Sequence, residues 1–192
     1  MRRCEWVKLT EPIYVDYHDN EWGVPVTDDR MLFEMLCLEG AQAGLNWLTI
    51  LKRREGYREL FENFDIEHVA DFTNEQLEAI LQDARIIRNR LKVESVRQNA
   101  RCTIEIQKEF GSFAKYVWSW VDGEQIVNEW KSIGDVPVTT AISDAFSRDL
   151  KKRGFKFVGS TIVYAYMQAV GLVWDHVAQC ECKRLHSMKL IK

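Results

Sequence analysis

The chain has few of the residues that interrupt regular structure. Its 192 residues include only 3 prolines and 10 glycines, too few for the closely spaced turns of a many-stranded β protein. It also lacks internal repeats, low-complexity tracts and a recognisable linker. Hydrophobic residues make up 46% of the chain, which is enough to fill a core. We therefore predict a single domain over residues 1–192.

Two further absences bear on the cellular compartment. No apolar run is long enough to span a bilayer, and the first residues, MRRCEWVKLTEP, lack the apolar segment of a signal peptide. We therefore expect a soluble, cytoplasmic protein with no membrane partner. The five cysteines are an odd number. Without a secretion signal they indicate reduced thiols or metal ligands rather than a disulfide framework.

The charge is slightly acidic overall but unevenly distributed. A net charge of −3 argues by itself against a nucleic-acid partner. Positive charge is nevertheless concentrated in three runs, LKRRE, RIIRNRLK and LKKRGFKF. Such runs are most often solvated helix faces. They leave nucleic acid open as a partner, because net charge does not describe the local surface.

Hydrophobic periodicity predicts an all-α fold. Thr27 or Asp28 can cap a helix that ends near residue 40. Thr73, with Gln76 three residues later, forms a capping-box pattern at the start of another. Further helices are predicted over residues 46–61, over 86–110 with Leu91 among its apolar positions, and from 112 to a turn at 122–123. Strand-like segments such as QIVNEW are short.

The last predicted helical pair, at about residues 142–171, is a helix-hairpin-helix candidate. In ISDAFSRDLKKRG the final turn is basic, and Gly154 stands where a left-handed cap is expected. Ser160 or Thr161 can cap the next helix, in GSTIVYAYMQAVGL. A tight turn of this kind can direct backbone N–H groups and a helix N-terminus at a phosphate. The alternative is an αα-hairpin that only folds the core.

Two cysteines and two histidines form a candidate metal site. His176 and Cys180 are four residues apart, which would place them on one face of a helix. With Cys4 and His18 from the other end of the chain, they have the ligand types of a tetrahedral structural zinc site. The alternatives are buried thiols and ordinary histidines. Two other residues can compete as ligands, namely Cys182 and His186.

Glu39 interrupts an apolar stripe. Leu32, Met35 and Leu36 recur at helical spacing, and the next position on that face is Glu39. Either the helix ends there and the carboxylate turns to solvent or to an arginine, or it lies in a pocket. Nearby aromatic residues favour a pocket suited to a flat, electron-poor or cationic ligand. They are Trp6, Tyr14, Tyr17, Trp22 and Trp47.

Four long strings carry a family resemblance. RCEWV, YHDNEWGVP, LFEMLCLEGAQAGLNWLTILKRRE and LKKRGFKFVGSTIVYAYMQAVGLVWDHV closely resemble the constitutive, lesion-selective 3-methyladenine DNA glycosylases of bacteria. The similarity extends from Cys4 to about Cys182. It implies an all-α helix-hairpin-helix glycosylase that cleaves the N-glycosidic bond of 3-methyladenine in double-stranded DNA. It also implies a structural Zn²⁺ that joins the N- and C-terminal segments.

The resemblance assigns roles to particular residues. It implies zinc ligands at Cys4, His18, His176 and Cys180. It implies a base pocket with Glu39 as the catalytic residue and with substrate-binding side chains at Tyr17, Trp47, Trp6 and Tyr14. The DNA-binding positions are Gly44 and Leu45, which enter the DNA, and the hairpin with the start of its second helix, at Gly154, Lys156, Gly159, Ser160 and Thr161.

The chemistry of the lesion fits such a site. An enzyme of this type must flip the nucleotide out of the duplex, and Leu45 could fill the gap. Methylation at N3 leaves the base positively charged, so its departure needs no acid, and one carboxylate suffices. We expect simple hydrolysis to an abasic site by a monomer. The rival hypotheses are a non-catalytic, zinc-stabilised module that recognises methylated bases or DNA, and an aromatic-caged binder of a small molecule.

Overall fold

A computed structural model describes residues 1–182. In this part of the chain the helices are α1 Pro12–Asn20, α2 Asp29–Gln42, α3 Trp47–Leu51, α4 Arg54–Leu60, α5 Ile66–Ala70, α6 Asn74–Gln82, α7 Arg90–Phe110, α8 Phe113–Ser119, α9 Ala141–Lys152 and α10 Ser160–Ala169. Two short strands, β1 Ile126–Val127 and β2 Val173–Trp174, pair in parallel. The predicted helical fold is confirmed. Within residues 1–182 each helix is too short or too polar to cross a membrane.

Helix α2 lies at the centre of the molecule. Every residue from 32 to 41 is buried, as expected of a helix that is surrounded by others. It contacts α3, α7, α8 and α10. The Asp28 side chain caps its start by accepting from the N–H of Met31 at 2.8 Å. Its last turn carries Glu39, so this carboxylate enters the interior of the protein rather than its surface.

The remaining helix boundaries partly match the sequence pattern. The capping box at Thr73 and Gln76 is present. The segment predicted as one helix over 46–61 is two helices, α3 and α4. Helix α7 begins at Arg90 rather than residue 86, because Asn89 caps it by accepting from the N–H of Lys92. Leu91 consequently lies on the outside, with 66% of its surface exposed, instead of in the core.

Helices α9 and α10 pack against each other through a tight hairpin. Gly154 has the predicted left-handed conformation, with φ of +97°. The cap of α10 is Gly159, so the prediction of Ser160 or Thr161 as the cap was wrong. The Ser160 hydroxyl instead bonds the Asp144 carboxylate of α9. This contact ties the start of α10 to α9 and explains why the serine is inside the helix.

Candidate aromatic cleft and metal centre

A cleft of about 320 Å³ opens beside the last turn of α2. This size is at the lower end for sites that hold a small organic ligand. Its walls come from α1, α2, α3, α10 and the loop that precedes α9. The lining residues are Trp6, Tyr14, Tyr17, Trp22, Glu39, Gln42, Trp47, Ile133, Val136, Pro137, Val138, Thr161, Tyr164, Ala165 and Gln168.

All five residues predicted to bind or act on the substrate line this cleft. Tyr17 and Trp47, both almost completely buried, have ring centroids 5.3 Å apart. Trp6 contacts Tyr14 at 5.1 Å between centroids and Trp22 at 5.0 Å. These rings form apolar faces on which a flat molecule can stack. The rings come from segments that are far apart in the sequence. The sequence pattern alone did not predict which of these rings would be in contact.

Glu39 lies at the inner end of the cleft with only 4% of its surface exposed. Its Oε2 has no hydrogen-bond partner among the described residues. Burial raises the pKa of this carboxyl group from 4.5 to about 8. Burial, and then the nearby Glu39 charge, also raise the pKa of Tyr14 and Tyr17. The structure thus rules out the alternative in which Glu39 turns to solvent or pairs with an arginine.

The opposite wall of the cleft contains residues that the sequence did not identify. Tyr164 and Gln168 of α10 both donate to the buried carboxylate of Asp175, at 2.6 and 2.8 Å. Asn128 and Trp130 donate to the other oxygen of Asp175, at 2.7 and 2.8 Å. Four donors therefore fix this carboxylate behind the wall. Only the rarity of a carboxylate in the apolar segment GLVWDHV could have drawn attention to it.

Two glycines that follow Glu39 in the sequence, Gly40 and Gly44, are each required by the local structure, for different reasons. A Cβ at Gly40 would lie 3.1 Å from the Cβ of Phe157, so the α9–α10 hairpin packs directly against α2. Gly44 has φ of +77°, a conformation that favours glycine. It turns the chain so that Leu45 is exposed over 42% of its surface at the start of α3. The segment 43–46 between α2 and α3, which we call the wedge loop, therefore lies beside the cleft.

The predicted DNA-binding residues of the hairpin fall in two places. The side chain of Lys156 is at the surface, but its N–H donates to Asn99 Oδ1 at 2.8 Å and is not free for a phosphate. Gly154 and Gly159 lie in the turn, and the Ser160 hydroxyl is bound to Asp144 as described. Thr161 instead lines the cleft. The Lys156 ammonium and the first turn of α10 are therefore candidate phosphate donors of the hairpin.

The four predicted metal ligands are brought together and buried. Their ligand atoms all lie within 4.8 Å of one another. Cys4 Sγ is 3.7 Å from His176 Nδ1, and Cys180 Sγ is 3.3 Å from the same nitrogen and 3.6 Å from His18 Nε2. Such spacings fit a tetrahedral ion with bonds of roughly 2.0–2.3 Å. His176 and Cys180 lie on a turn after β2 rather than on the expected helix.

The surroundings of the two histidines also fit a metal. Asp19 Oδ1 accepts from His18 Nδ1 at 2.8 Å, and the carbonyl oxygen of Trp22 accepts from His176 Nε2 at 3.1 Å. Each histidine is thereby left with its other nitrogen facing the cysteines, as in metal sites whose ligands are oriented by outer hydrogen bonds. Asp19 is in turn held by Arg3. The group can therefore hold a metal ion.

Cys182, predicted as a competing ligand, lies outside this set of four. Its Sγ is 3.9 Å from His18 Nδ1 and 3.7 Å from Asp19 Oδ1, on the side of the histidine that faces away from the other ligands. It belongs to a second, smaller group with His18 and Asp19. His186, the other competing ligand, lies outside the described residues. Hydrogen bonds from Cys182 and Cys4 lower the pKa of Cys180, which favours its thiolate.

The helical fold, the hairpin and the aromatic cleft with its buried carboxylate define a helix-hairpin-helix protein with a cleft whose aromatic walls can stack on a flat ring. The sequence profile of the methyladenine glycosylase family matches residues 6–184, and the chain belongs to this family. It is 50% identical to DNA-3-methyladenine glycosylase 1 of Escherichia coli over 95% of this chain and 97% of the relative. The resemblance found in the sequence is thereby confirmed.

Solved structures give the same relationship. A crystal structure of 3-methyladenine DNA glycosylase I superposes with a TM-score of 0.92 at 51% identity, covering 94% of this chain and 99% of that one. The enzyme from Staphylococcus aureus, studied for its recognition of 3-methyladenine, superposes with a TM-score of 0.92 at 36% identity, covering 95% of this chain and 97% of its own.

Proposed function

We propose that this protein is a monofunctional 3-methyladenine DNA glycosylase. It hydrolyses the N-glycosidic bond of 3-methyladenine in alkylated double-stranded DNA and leaves an abasic site. The observation that carries this proposal is the buried Glu39 carboxyl group, with an unpartnered oxygen, at the inner end of a cleft sized for one base. The 3-methyladenine glycosylases to which the chain is similar support the choice of substrate.

Base recognition combines stacking with charge. A base must leave the duplex to reach the cleft, since neither its faces nor its edge are free inside the helix. Tyr17 and Trp47 stack on the flipped ring, with Trp6 and Tyr14 beside them. Glu39 accepts hydrogen bonds from the base edge and stabilises its positive charge. Undamaged adenine supplies no such charge, so the cleft selects the lesion by electrostatics as well as by shape.

Bond cleavage then requires little help from the protein. The positive charge of the N3-methylated base already weakens its bond to the sugar, so no acid is needed to protonate the leaving group. Glu39 favours the cationic form of the base until the bond breaks. Water traps the resulting sugar cation, and the DNA strand remains intact. This division of labour agrees with a cleft in which Glu39 is the only carboxylate among the lining residues that the structure describes.

Two segments bind the DNA itself. Gly44 and Leu45 of the wedge loop enter the duplex, and the exposed leucine side chain fills the space that the flipped base leaves. The hairpin from Gly154 to Gly159 holds the phosphate backbone through the Lys156 ammonium and the N-terminal turn of α10, where Ser160 and Thr161 lie. Phosphate contacts of this kind position the enzyme but read no sequence.

The metal is proposed to be a single structural zinc. Cys4, His18, His176 and Cys180 have the ligand types, the burial and the oriented histidines that suit Zn²⁺. With four protein ligands the ion has no open position for a substrate, so it supplies cross-linking rather than catalysis. It would join the segment before α1 to the segment after β2.

The decisive experiment is base release from methylated DNA. We expect the wild-type protein to free 3-methyladenine from duplex DNA treated with a methylating agent, and to leave abasic sites in unbroken strands. Chromatography identifies the freed bases, and alkali cleavage reports the abasic sites. A Glu39→Ala variant, confirmed as folded by circular dichroism, is the matched control. Binding to the same DNA without any base release would instead support the non-catalytic recognition module.

A further inference from the structure

Lys92 is a buried cation with an unusual pair of partners. Only 9% of its surface is exposed, although it lies in the first turn of α7. Its ammonium group donates to the carbonyl oxygen of Ala41 at 2.8 Å and to that of Ala43 at 2.7 Å. Both carbonyls belong to the C-terminal end of α2, where carbonyl groups lack intrahelical partners and a cation is favoured.

These two carbonyls come directly before the wedge loop turns. Ala43 is the first residue of this loop, and Gly44 and Leu45 follow it. The backbone of Ala43 has left the helical conformation, with φ of −44° and ψ of 117°. The Lys92 ammonium therefore holds the point at which the chain leaves α2. The two acceptors are backbone carbonyls of the helix end and of the loop. The Lys92 ammonium therefore bonds the main chain at this point.

The same helix also holds the hairpin. Asn99, seven residues after Lys92 and 2% exposed, donates to the carbonyl oxygen of Lys156 at 3.1 Å and accepts from its N–H at 2.8 Å. Seven residues are about two helical turns, so the two side chains lie on one face of α7, about 10 Å apart along its axis. Phe157, at the tip of the hairpin, adds its close contact with Gly40 of α2.

We infer that Lys92 is a positioning residue, which fixes the wedge loop in register with the hairpin that Asn99 holds on the same helix. This inference rests on the function proposed above, in which Leu45 enters the duplex while the hairpin holds the backbone. Both contacts are made with one rigid piece of DNA, so their separation must be kept. Helix α7 preserves this separation, because Lys92 bonds the wedge loop and Asn99 bonds the hairpin. A loop without such bonds would not.

The test compares Lys92→Met with the wild type in three measurements. Methionine retains much of the apolar stem but cannot donate to the two carbonyls. Single-turnover release of 3-methyladenine from duplex DNA should slow by about tenfold or more, the size expected for losing charge-assisted hydrogen bonds. A 2-aminopurine placed beside the lesion should show less flipping by fluorescence. Binding of free 3-methyladenine should stay within about twofold, since the cleft does not include Lys92.

A double variant shows whether Lys92 acts through the wedge loop. Leu45→Gly alone should slow duplex processing, and adding Lys92→Met should cause little further loss, because both changes remove the same function. Lys108→Met is the matched control, since Lys108 is an exposed lysine of α7 whose ion pair is with Glu105 of its own helix. This control should match the wild type in all three measurements.

The outcomes are distinguishable. Wild-type excision by Lys92→Met, or a parallel loss of free-base binding, would overturn the inference, the second because the lysine would then shape the cleft. Additive losses in the double variant would overturn it as well. If Lys92→Met fails to fold, Lys92→Leu, which likewise has no donor for the two carbonyls, takes its place with the same expectations. If the wild type frees no base, or Leu45→Gly equals the wild type, the proposed function or its wedge is wrong instead.

Discussion

At the scale of single residues, the buried Glu39 carboxyl group is costly to ionise, and a cationic ligand would lower that cost. Burial disfavours the carboxylate, and its Oε2 has no partner among the described residues. A cationic base within hydrogen-bonding distance would bring the pKa down from about 8 and stabilise the charged form. A neutral base would do neither. The free energy of ionising Glu39 is thus a term that distinguishes the lesion from undamaged adenine.

Replacing Glu39 with glutamine should separate charge from shape. Glutamine keeps the size and one acceptor but cannot become negative. We expect the activation free energy of 3-methyladenine excision to rise by about 1–3 kcal/mol, which slows the reaction roughly 5- to 160-fold. The loss should be smaller than for removal of a nucleophile, because the charge on the substrate already promotes departure. Single-turnover rates of Glu39→Gln, Glu39→Ala and wild type measure it, and wild-type rates in both variants would make Glu39 a bystander.

The same substitution should stabilise the protein at alkaline pH. The folded pKa of Glu39 is raised from 4.5 to about 8, so between these values the folded state binds more protons than the unfolded state. Wild-type stability therefore falls as pH rises through this window. Glu39→Gln removes this effect and should unfold with a free energy higher than the wild type by roughly 3–5 kcal/mol above pH 8. Near pH 4 the pH-dependent part of the difference should vanish.

Denaturant titrations from pH 4 to pH 9 measure this difference. Glu124→Gln is a suitable control, because Glu124 is exposed and lies outside the cleft. Its stability difference from the wild type provides the reference against which the Glu39→Gln difference is compared at each pH. Protonation of the metal ligands affects all three proteins equally and cancels in the comparison. A difference between Glu39→Gln and the wild type that is the same at both ends of the pH range would contradict the raised pKa.

Glu39 could be singled out from the sequence because it interrupts the helical repeat of apolar residues in α2. The stripe of Leu32 and Leu36 fixed which face of the helix is buried, and a carboxylate on that face required a reason. Tyr164 offered no such contrast, and Asp175 offered only the rarity of a carboxylate in an apolar segment, without a helical period to place it. An aromatic residue on an apolar helix looks like core, and the partners that fix Asp175 come from segments up to 47 residues away. Long-range hydrogen bonds leave no local pattern to detect.

At the scale of elements, the hairpin illustrates how capping residues can be assigned to the wrong position. Ser160 has the usual chemistry of an N-cap, but Asp144 of α9 accepts from its hydroxyl, and Gly159 takes the cap position. The N–H of Lys156 is used by Asn99. The Lys156 N–H is therefore not available to a phosphate. The ammonium group of Lys156 accordingly becomes the main candidate for holding a phosphate.

Lys156→Ala should weaken duplex binding regardless of sequence. Loss of one phosphate contact should lower the slope of log affinity against log salt by about one unit. Binding of free 3-methyladenine should not change, because Lys156 is outside the cleft. Fluorescence anisotropy over a salt titration measures the slope. Lys115→Ala, which removes an exposed lysine from α8, is the control. Unchanged affinity of Lys156→Ala at every salt concentration would show that the hairpin is not the anchor.

Helices with clear periodicity and caps could be predicted, and short irregular elements could not. The capping box of α6 and the left-handed Gly154 follow from local chemistry. Helix α1 begins at Pro12 without a side-chain cap and buries only Tyr17 and His18, so it has no apolar stripe to detect. Strands β1 and β2 have two residues each. Their pairing depends on the tertiary fold, which brings the two segments together.

At the scale of the whole molecule, the metal group joins the two ends of the described chain next to the cleft. Cys4 and His18 come from the N-terminal segment, and His176 and Cys180 follow β2. Trp22 links the two sites, since its carbonyl accepts from His176 while its ring lines the cleft. Trp6 likewise lines the cleft and lies 5.2 Å from the His18 ring. The metal group and the aromatic wall therefore share side chains.

Cys4→Ala should remove one equivalent of zinc and destabilise the protein. Structural zinc in small sites can contribute roughly 10–16 kcal/mol of apparent binding free energy, so loss of the proposed ion should lower the free energy of unfolding. Because Trp6 and Trp22 contact the metal-ligand group and line the cleft, free 3-methyladenine should also bind more weakly at temperatures where the variant stays folded. Elemental analysis, thermal unfolding and ligand-induced tryptophan quenching measure the three effects. Cys182→Ala, which removes the neighbouring thiol, should keep its zinc and its affinity. A wild-type protein without stoichiometric zinc, or full zinc retention after Cys4→Ala and His176→Ala are combined, would exclude this site, because two of its four ligands would then be dispensable.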